Sequence, residues 1–455
     1  MNILEQNSSM GSEKISKLML RLSLPTIIAQ VINVLYNIVD RMYVGHIPEV
    51  GADALTGLGV SAPLILIVSA FSMFVGGGGA PLAAIALGKN DKEEAEKILG
   101  TGTFILIFIS IALTIGVLVF KEPLLYLFGA SEVSFSYAND YTTIYLFGTI
   151  FVQFALGLNL FITCQGKTKI AMFSVLIGAI TNIILDPILI YGCDMGVKGA
   201  AIATVFSQAL SAAFVVTFLA SKKSIIRIRL KYLKLNVNYA IKTISLGVSS
   251  FTMQVTESAI LIVFNNGLLK YGGDIYVGAM TIMQSVMQLL TIPINGFTQG
   301  TQPIVSYNYG AQKYDRVKDT MKLSLKIIVG ATTEYYVLVF FFPQLFARIF
   351  TPEPDLVNLV AKILPIFMGG MWLFGVQMTS QMFFVGTGQA GKSLFVALLR
   401  KVILLIPMAI ILPNFFGVMG VFYSEPIADI ISASISGCLL FYSLKKLKVY
   451  PDILK

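Results

Sequence analysis

Residues 105–120 read ILIFISIALTIGVLVF, an unbroken apolar run too long for a β-strand. Similar runs recur along the whole chain. Crossing a bilayer core takes about 20 helical residues, or roughly 30 Å at 1.5 Å per residue. Barrel strands would alternate apolar and polar positions over about ten residues, and no such alternation occurs. Lipid offers no partner to an unpaired backbone group, so the runs must be helices. Only 13% of the 455 residues are charged, against about 25% in a soluble domain. The expected fold is therefore an all-α polytopic membrane protein with about twelve helices. They lie near 18–44, 54–80, 99–120, 140–163, 170–192, 199–220, 241–268, 276–303, 321–345, 358–385, 393–413 and 418–443.

The formal charge is +9, but the basic residues sit in short loops between spans, which argues against a nucleic-acid partner. Cys164, Cys193 and Cys438 show no metal-type spacing, and His46 is the one histidine, so no multi-histidine metal site and no cofactor are expected. No Ser-His-Asp set is visible, so the chain does not read as an enzyme. Lys and Arg alternate sides. One side holds Lys14, Lys17, Arg21; Lys89, Lys92, Lys97; Lys167, Lys169; the 221–240 cluster; Lys313, Arg316, Lys318; Lys392, Arg400, Lys401; and Lys445, Lys446, Lys448. The positive-inside rule puts that side, and both termini, in the cytoplasm of a cell-membrane protein.

The two halves repeat. One offset carries Gly78 onto Gly300, Pro81 onto Pro303, Gly88 onto Gly310 and Gly166 onto Gly388. The loop GKNDKEEAEK answers to GAQKYDRVKD. The expected organisation is an N-terminal six-helix lobe (1–220), a basic cytoplasmic linker (221–240) and a C-terminal six-helix lobe (241–455). Six helices per copy give both copies one orientation, related by a pseudo-twofold axis along the membrane normal, with a transport path between them.

Against this background Asp40, in VINVLYNIVDRMYVGH, is out of place. An Asp at a helix centre costs about 2.5–3.5 kcal/mol on insertion scales. Asp186 in the fifth helix and Thr204 in the sixth fall at the same depth, roughly 6–9 Å below the outer boundary at 1.5 Å per residue. Asn182 lies one turn before Asp186, and Pro187 follows it. Asn33 and Asn37 share a stripe with Asp40. Two carboxylates, an amide and a hydroxyl in low dielectric can hold a proton or bind a small hard cation such as Na⁺ through oxygen. The alternative is that Arg41 neutralises Asp40 and Asp186 only bonds backbone. The second half does not copy this set. It carries Glu257, Glu334, and Glu425 with Asp429, which either line a path for a cationic substrate or are solvated in a vestibule. Met280, Met283, Gln284 and Met287 form a helical stripe that suits either an adaptable ligand lining or ordinary packing.

The segments LSLPTIIAQVINVLYNIVDRMYVGH, ALGKNDKEEAEK and TNIILDPILIYGCDMGVKGAAIATVFSQ resemble the multidrug and toxic compound extrusion (MATE) family, its DinF-like branch above all. The likeness runs from about residue 15 to 445. It implies a V-shaped pair of six-helix lobes, working as a monomer in the lipid bilayer. It implies export of organic, often cationic, small molecules against H⁺ or Na⁺. It also implies a cation or proton site at Asp40, Asn182, Asp186 and Thr204. Some relatives carry an acid near Asn159, and Glu257 resembles the helix-seven glutamate of the NorM branch. The carboxylate that branch pairs with it is missing near Val376 and Gln377. The other reading is a flippase for a lipid-linked saccharide, which would need Lys or Arg inside the spans to meet a pyrophosphate; Arg41 is the one clear case in the sequence.

Overall fold

The computed structural model describes residues 9–447; residues 1–8 and 448–455, Lys448 among them, lie outside it. Among the described residues, ten helices are long and apolar enough to span a membrane, and two bent pairs bring the number to twelve when each is counted as one span. In chain order they are α1 Ile15–Gly45, α2 Gly51–Gly88, α3 Lys92–Leu127, α4 Glu132–Phe147 with Thr149–Thr163, α5 Thr168–Gly192 and α6 Gly196–Ala220. Then follow α7 Val237–Tyr271, α8 Asp274–Gly310, α9 Tyr314–Phe341, α10 Pro354–Phe367 with Met371–Gly386, α11 Ala390–Phe416 and α12 Val418–Lys446. Every helix read from hydropathy is present, and most run several residues further at one or both ends.

Two features depart from that reading. The fourth and tenth spans bend by 63° and 52°, at Gly148 and at the Gly369-Gly370 pair, where small residues weaken the helix ladder. The ninth span, read to residue 345, stops at Phe341, and Pro343–Phe350 form a separate short helix, because Pro343 cannot donate to the preceding turn.

The apolar cores partly follow the halves. One large cluster centres on Phe264, Met283, Phe367 and Phe422. A second, around Tyr141 with Val197, lies in the first half, and a third, around Phe161 with Leu99, reaches across to Ala240 and Tyr307. Between the halves, α1 packs on α8 and α2 on α7. Contact is tightest where the linker lies. A Cβ on Gly88 would sit 2.0 Å from the Tyr307 carbonyl oxygen, and one on Gly310 would sit 2.0 Å from that of Ile85. These two glycines are a repeat pair, so the offset seen in the sequence marks a backbone-to-backbone crossing near the symmetry axis. Thr26 adds a hydrogen bond of 2.6 Å to the Gly296 carbonyl.

The linker is docked. Gln165 Oε1 accepts from Ser224 Oγ and from the Ile225 N–H at 3.0 and 2.7 Å, and Arg229 pairs with Glu96 at 2.6 Å.

Candidate functional site

Asp40 sits near the end of α1 furthest from the linker, with its neighbours Ile38 and Met42 turned outward. Burial leaves Asp40 8% exposed and Asp186 fully covered. Asp186 owes its place to the end of α5. Pro187 has no N–H for the Ile183 carbonyl, and the chain widens into a π-helical turn at Ile188–Gly192, a form frequent at functional sites. Asn182 Nδ2 donates to Asp186 Oδ1 at 3.2 Å and to Thr204 Oγ1 at 3.4 Å. The Asp40 and Asp186 carboxyls are close enough to act on each other electrostatically. α1, α5 and α6 thus bring together the four side chains read from sequence.

Three oxygens of this pocket have no hydrogen-bond partner: Asp40 Oδ1, Asn182 Oδ1 and Asp186 Oδ2. Buried acceptors are normally satisfied, so their convergence fits a proton shared between carboxyls or a small cation held through oxygen. Asp40 makes no ion pair with Arg41 among the described residues; Arg41 is exposed. Among the described residues, no group of three or more His, Cys, Asp or Glu side chains forms a metal cluster, so a cation here would lean on the amide and hydroxyl.

Two of the secondary candidates bond outside the four-residue set. Asn37 is exposed and bonds the Asn33 carbonyl at 2.6 Å. Asn159 donates to the Ala171 carbonyl at 3.0 Å and to Ser174, and Ser174 lies roughly 18 Å along α5 from Asp186. Three tyrosines were missed. Tyr141 OH lies 3.5 Å from Thr204 Oγ1, Tyr145 OH lies 3.2 Å from Ser69 Oγ, and Tyr36 is close to both carboxylates. The i, i+4 spacing of Tyr141 and Tyr145 in an apolar helix was a usable signal, since buried tyrosines need a partner.

The second half corrects the sequence reading more sharply. Arg400 and Lys401, assigned to a loop face, are buried in a π-helical stretch of α11, Leu399–Leu405. Arg400 donates Nε to Asp429 and Nη2 to Glu425, each at 2.5 Å. Lys401 pairs with Glu257 and donates to the Met253 carbonyl at 2.8 Å. Glu425 and Asp429 are therefore buried partners of a cation rather than vestibule groups. Arg41 is likewise not the one base within the spans. Glu334 is exposed. Met280 and Met283 belong to the apolar core, Met287 packs against it, and Gln284 is half-buried, so this stripe is mostly packing.

The MatE family model matches the chain twice, at residues 25–188 and 249–411. The chain belongs to the MatE family. Each match covers one copy of the repeat. The multidrug export protein MepA of Staphylococcus haemolyticus is 26% identical over 441 residues, covering 97% of this chain and 96% of its own. A structure of MATE in the bent conformation superposes with TM-score 0.91 at 22% identity, covering 97% of this chain and 98% of the other. An outward-facing MATE family transporter of the MOP superfamily gives TM-score 0.87 at 23% identity, over 96% and 98%. The protein is thus a multi-pass membrane transporter with the MATE fold, in a family of transporters rather than enzymes.

Proposed function

We propose that this MATE protein is an antiporter that exports amphiphilic, cationic organic molecules in exchange for H⁺ or Na⁺ entering through the Asp40–Asn182–Asp186–Thr204 pocket. The observation that carries this is the set of three unpartnered oxygens on two adjoining buried carboxyls and an amide. MepA, the relative described above, is named for multidrug export. The same residue set favours a DinF-like branch. The lysine and arginine distribution favours a cytoplasmic linker and cytoplasmic termini. On that orientation the tight Gly88–Gly310 crossing holds the two halves together at the cytoplasmic end. The working unit is a monomer.

The mechanism follows from α1. Uncharged or cation-filled, the pocket lets α1 pack against α5 and α6; ionised and empty, its carboxyls repel. Filling the pocket therefore biases the position of α1, which also holds α8 through Thr26, and this differential packing shifts the lobes. Proteoliposomes given an imposed pH gradient, then an imposed Na⁺ gradient, test the reading. Asp40→Asn is expected to reach the membrane and lose uphill export; normal export by that variant would remove the pocket from the mechanism.

The flippase reading has one observation in its favour, the two buried bases of α11. Arg400 and Lys401 are matched there by Glu425, Asp429 and Glu257, which leaves no net positive cavity for a pyrophosphate.

A further inference from the structure

Glu257 follows Ser250 by seven residues on α7, so the two share a face. Ser250 Oγ would lie 2.7 Å from a Cβ on Gly77 of α2; it marks where α7 touches the other half. Glu257 is about 10 Å further along that face, beyond the contact, and its side chain is 58% exposed. Just before it the rings of Phe71, Phe74 and Phe251 cluster, with centroids 4.4–5.6 Å apart. An exposed carboxylate inside a membrane span, with an aromatic cluster earlier along the same helix, suits an apolar organic cation.

Its partner is of a different kind. The Lys401 side chain is 6% exposed, and its other bond is to the Met253 carbonyl. Arg400, next in sequence, is locked by two carboxylates and covers the Phe374 ring at 5.1 Å. The charged groups facing Lys401 are Glu257 from α7, Arg400 from its own helix and Glu425 from α12. With Asp429, the cluster holds three acids against two bases, an excess of one negative charge.

We propose that Lys401 is a built-in occupant of a cation subsite on Glu257, and that an organic monocation binding Glu257 displaces it. The proposal deepens the export reading by naming where substrate charge is held. Once displaced, the ammonium is buried beside Arg400 and the incoming charge with a carbonyl as its remaining partner, a costly arrangement. It gives its proton to cleft water: one N–H bond breaks, the nitrogen keeps the electron pair, and one positive charge enters as one leaves.

The test titrates tetraphenylphosphonium into the purified full-length protein in weakly buffered detergent, reading bound cation and released protons together. Wild type is expected to release about one proton per cation bound. Lys401→Met is expected to bind at least tenfold more tightly without that release, because Glu257 is free. Lys401→Arg, which keeps its proton, should bind more weakly and release none. Glu257→Gln should weaken binding in both backgrounds. Release that vanishes in Asp40→Asn but persists in Lys401→Met would assign the proton to the first-half pocket and overturn the proposal. So would unchanged affinity in a folded Lys401→Met. A wild type that binds no organic cation would instead fail the export reading itself.

Discussion

Arg400 shows at residue scale why this molecule needs its polar contacts in complete sets. Its guanidinium satisfies two buried carboxylates from one position. Removing one partner of such a set strands the others and costs about 3–5 kcal/mol, whereas replacing the whole set with hydrophobic residues of similar volume is often tolerated. Arg400→Met is therefore expected to lower the melting temperature in detergent sharply. Adding Glu425→Met and Asp429→Leu should restore most of the loss; if the triple variant melts as low as the single one, the ion set is not what holds α11 to α12. This network was not legible in the sequence. Arg400 is separated by 25 residues from Glu425, and two adjacent bases near a helix end look like the snorkelling residues of a loop face. The first-half pocket was legible because an isolated Asp in an apolar run is anomalous by itself, and helical rise gives its depth. Asn159 drops out for the converse reason: an amide needs only a neighbouring carbonyl and hydroxyl, and Asn159 finds both on α5, at Ala171 and Ser174.

At the scale of elements, hydropathy located all twelve helices because bilayer thickness imposes a length that packing cannot override. It could not find the bends at Gly148 and Gly369-Gly370, since a bent apolar helix has the same composition as a straight one. The crossing of α2 and α8 was half visible: the repeat singled out Gly88 and Gly310, but only the fold shows their backbones in contact. Gly88→Ala and Gly310→Ala are each expected to force these helices apart, cutting transport several-fold while Na⁺ or H⁺ binding at the Asp40 pocket persists. Gly59→Ala and Gly116→Ala, at positions where a Cβ meets nothing within 4 Å, should leave transport unchanged. Equal damage from all four would show that helix flexibility, not the crossing, is the sensitive property.

On the scale of the whole molecule, the end at the Gly88–Gly310 crossing has a second fastening in the segment just before α1. Met10 is 1% exposed and packs within 3.1 Å of the Cβ position of Gly166, at the α4–α5 turn. Its carbonyl accepts from Asn308 and Arg316 at 3.0 and 3.2 Å, and that of Gly11 accepts from Lys313 at 2.9 Å. One short segment is thus bonded to α8 and α9 of the second half and packed on the first. A transporter that alternates access must separate those surfaces in its other state, so these contacts bias one state alone, and a contact made in one state sets the population. Truncating a buried Met to Ala costs about 2–5 kcal/mol, and even part of that, applied to one state, moves the equilibrium more than tenfold. Ser306, fully buried on α8 and lining the small cavity with Gly76 and Pro303 at this end, is the reporter. With Cys164, Cys193 and Cys438 replaced by Ser, Ser306→Cys should react slowly with a water-soluble maleimide, and adding Met10→Ala should speed that reaction at least severalfold. An unchanged rate in a folded double variant would mean that the helix crossings alone keep this end shut and that the segment merely rests on it.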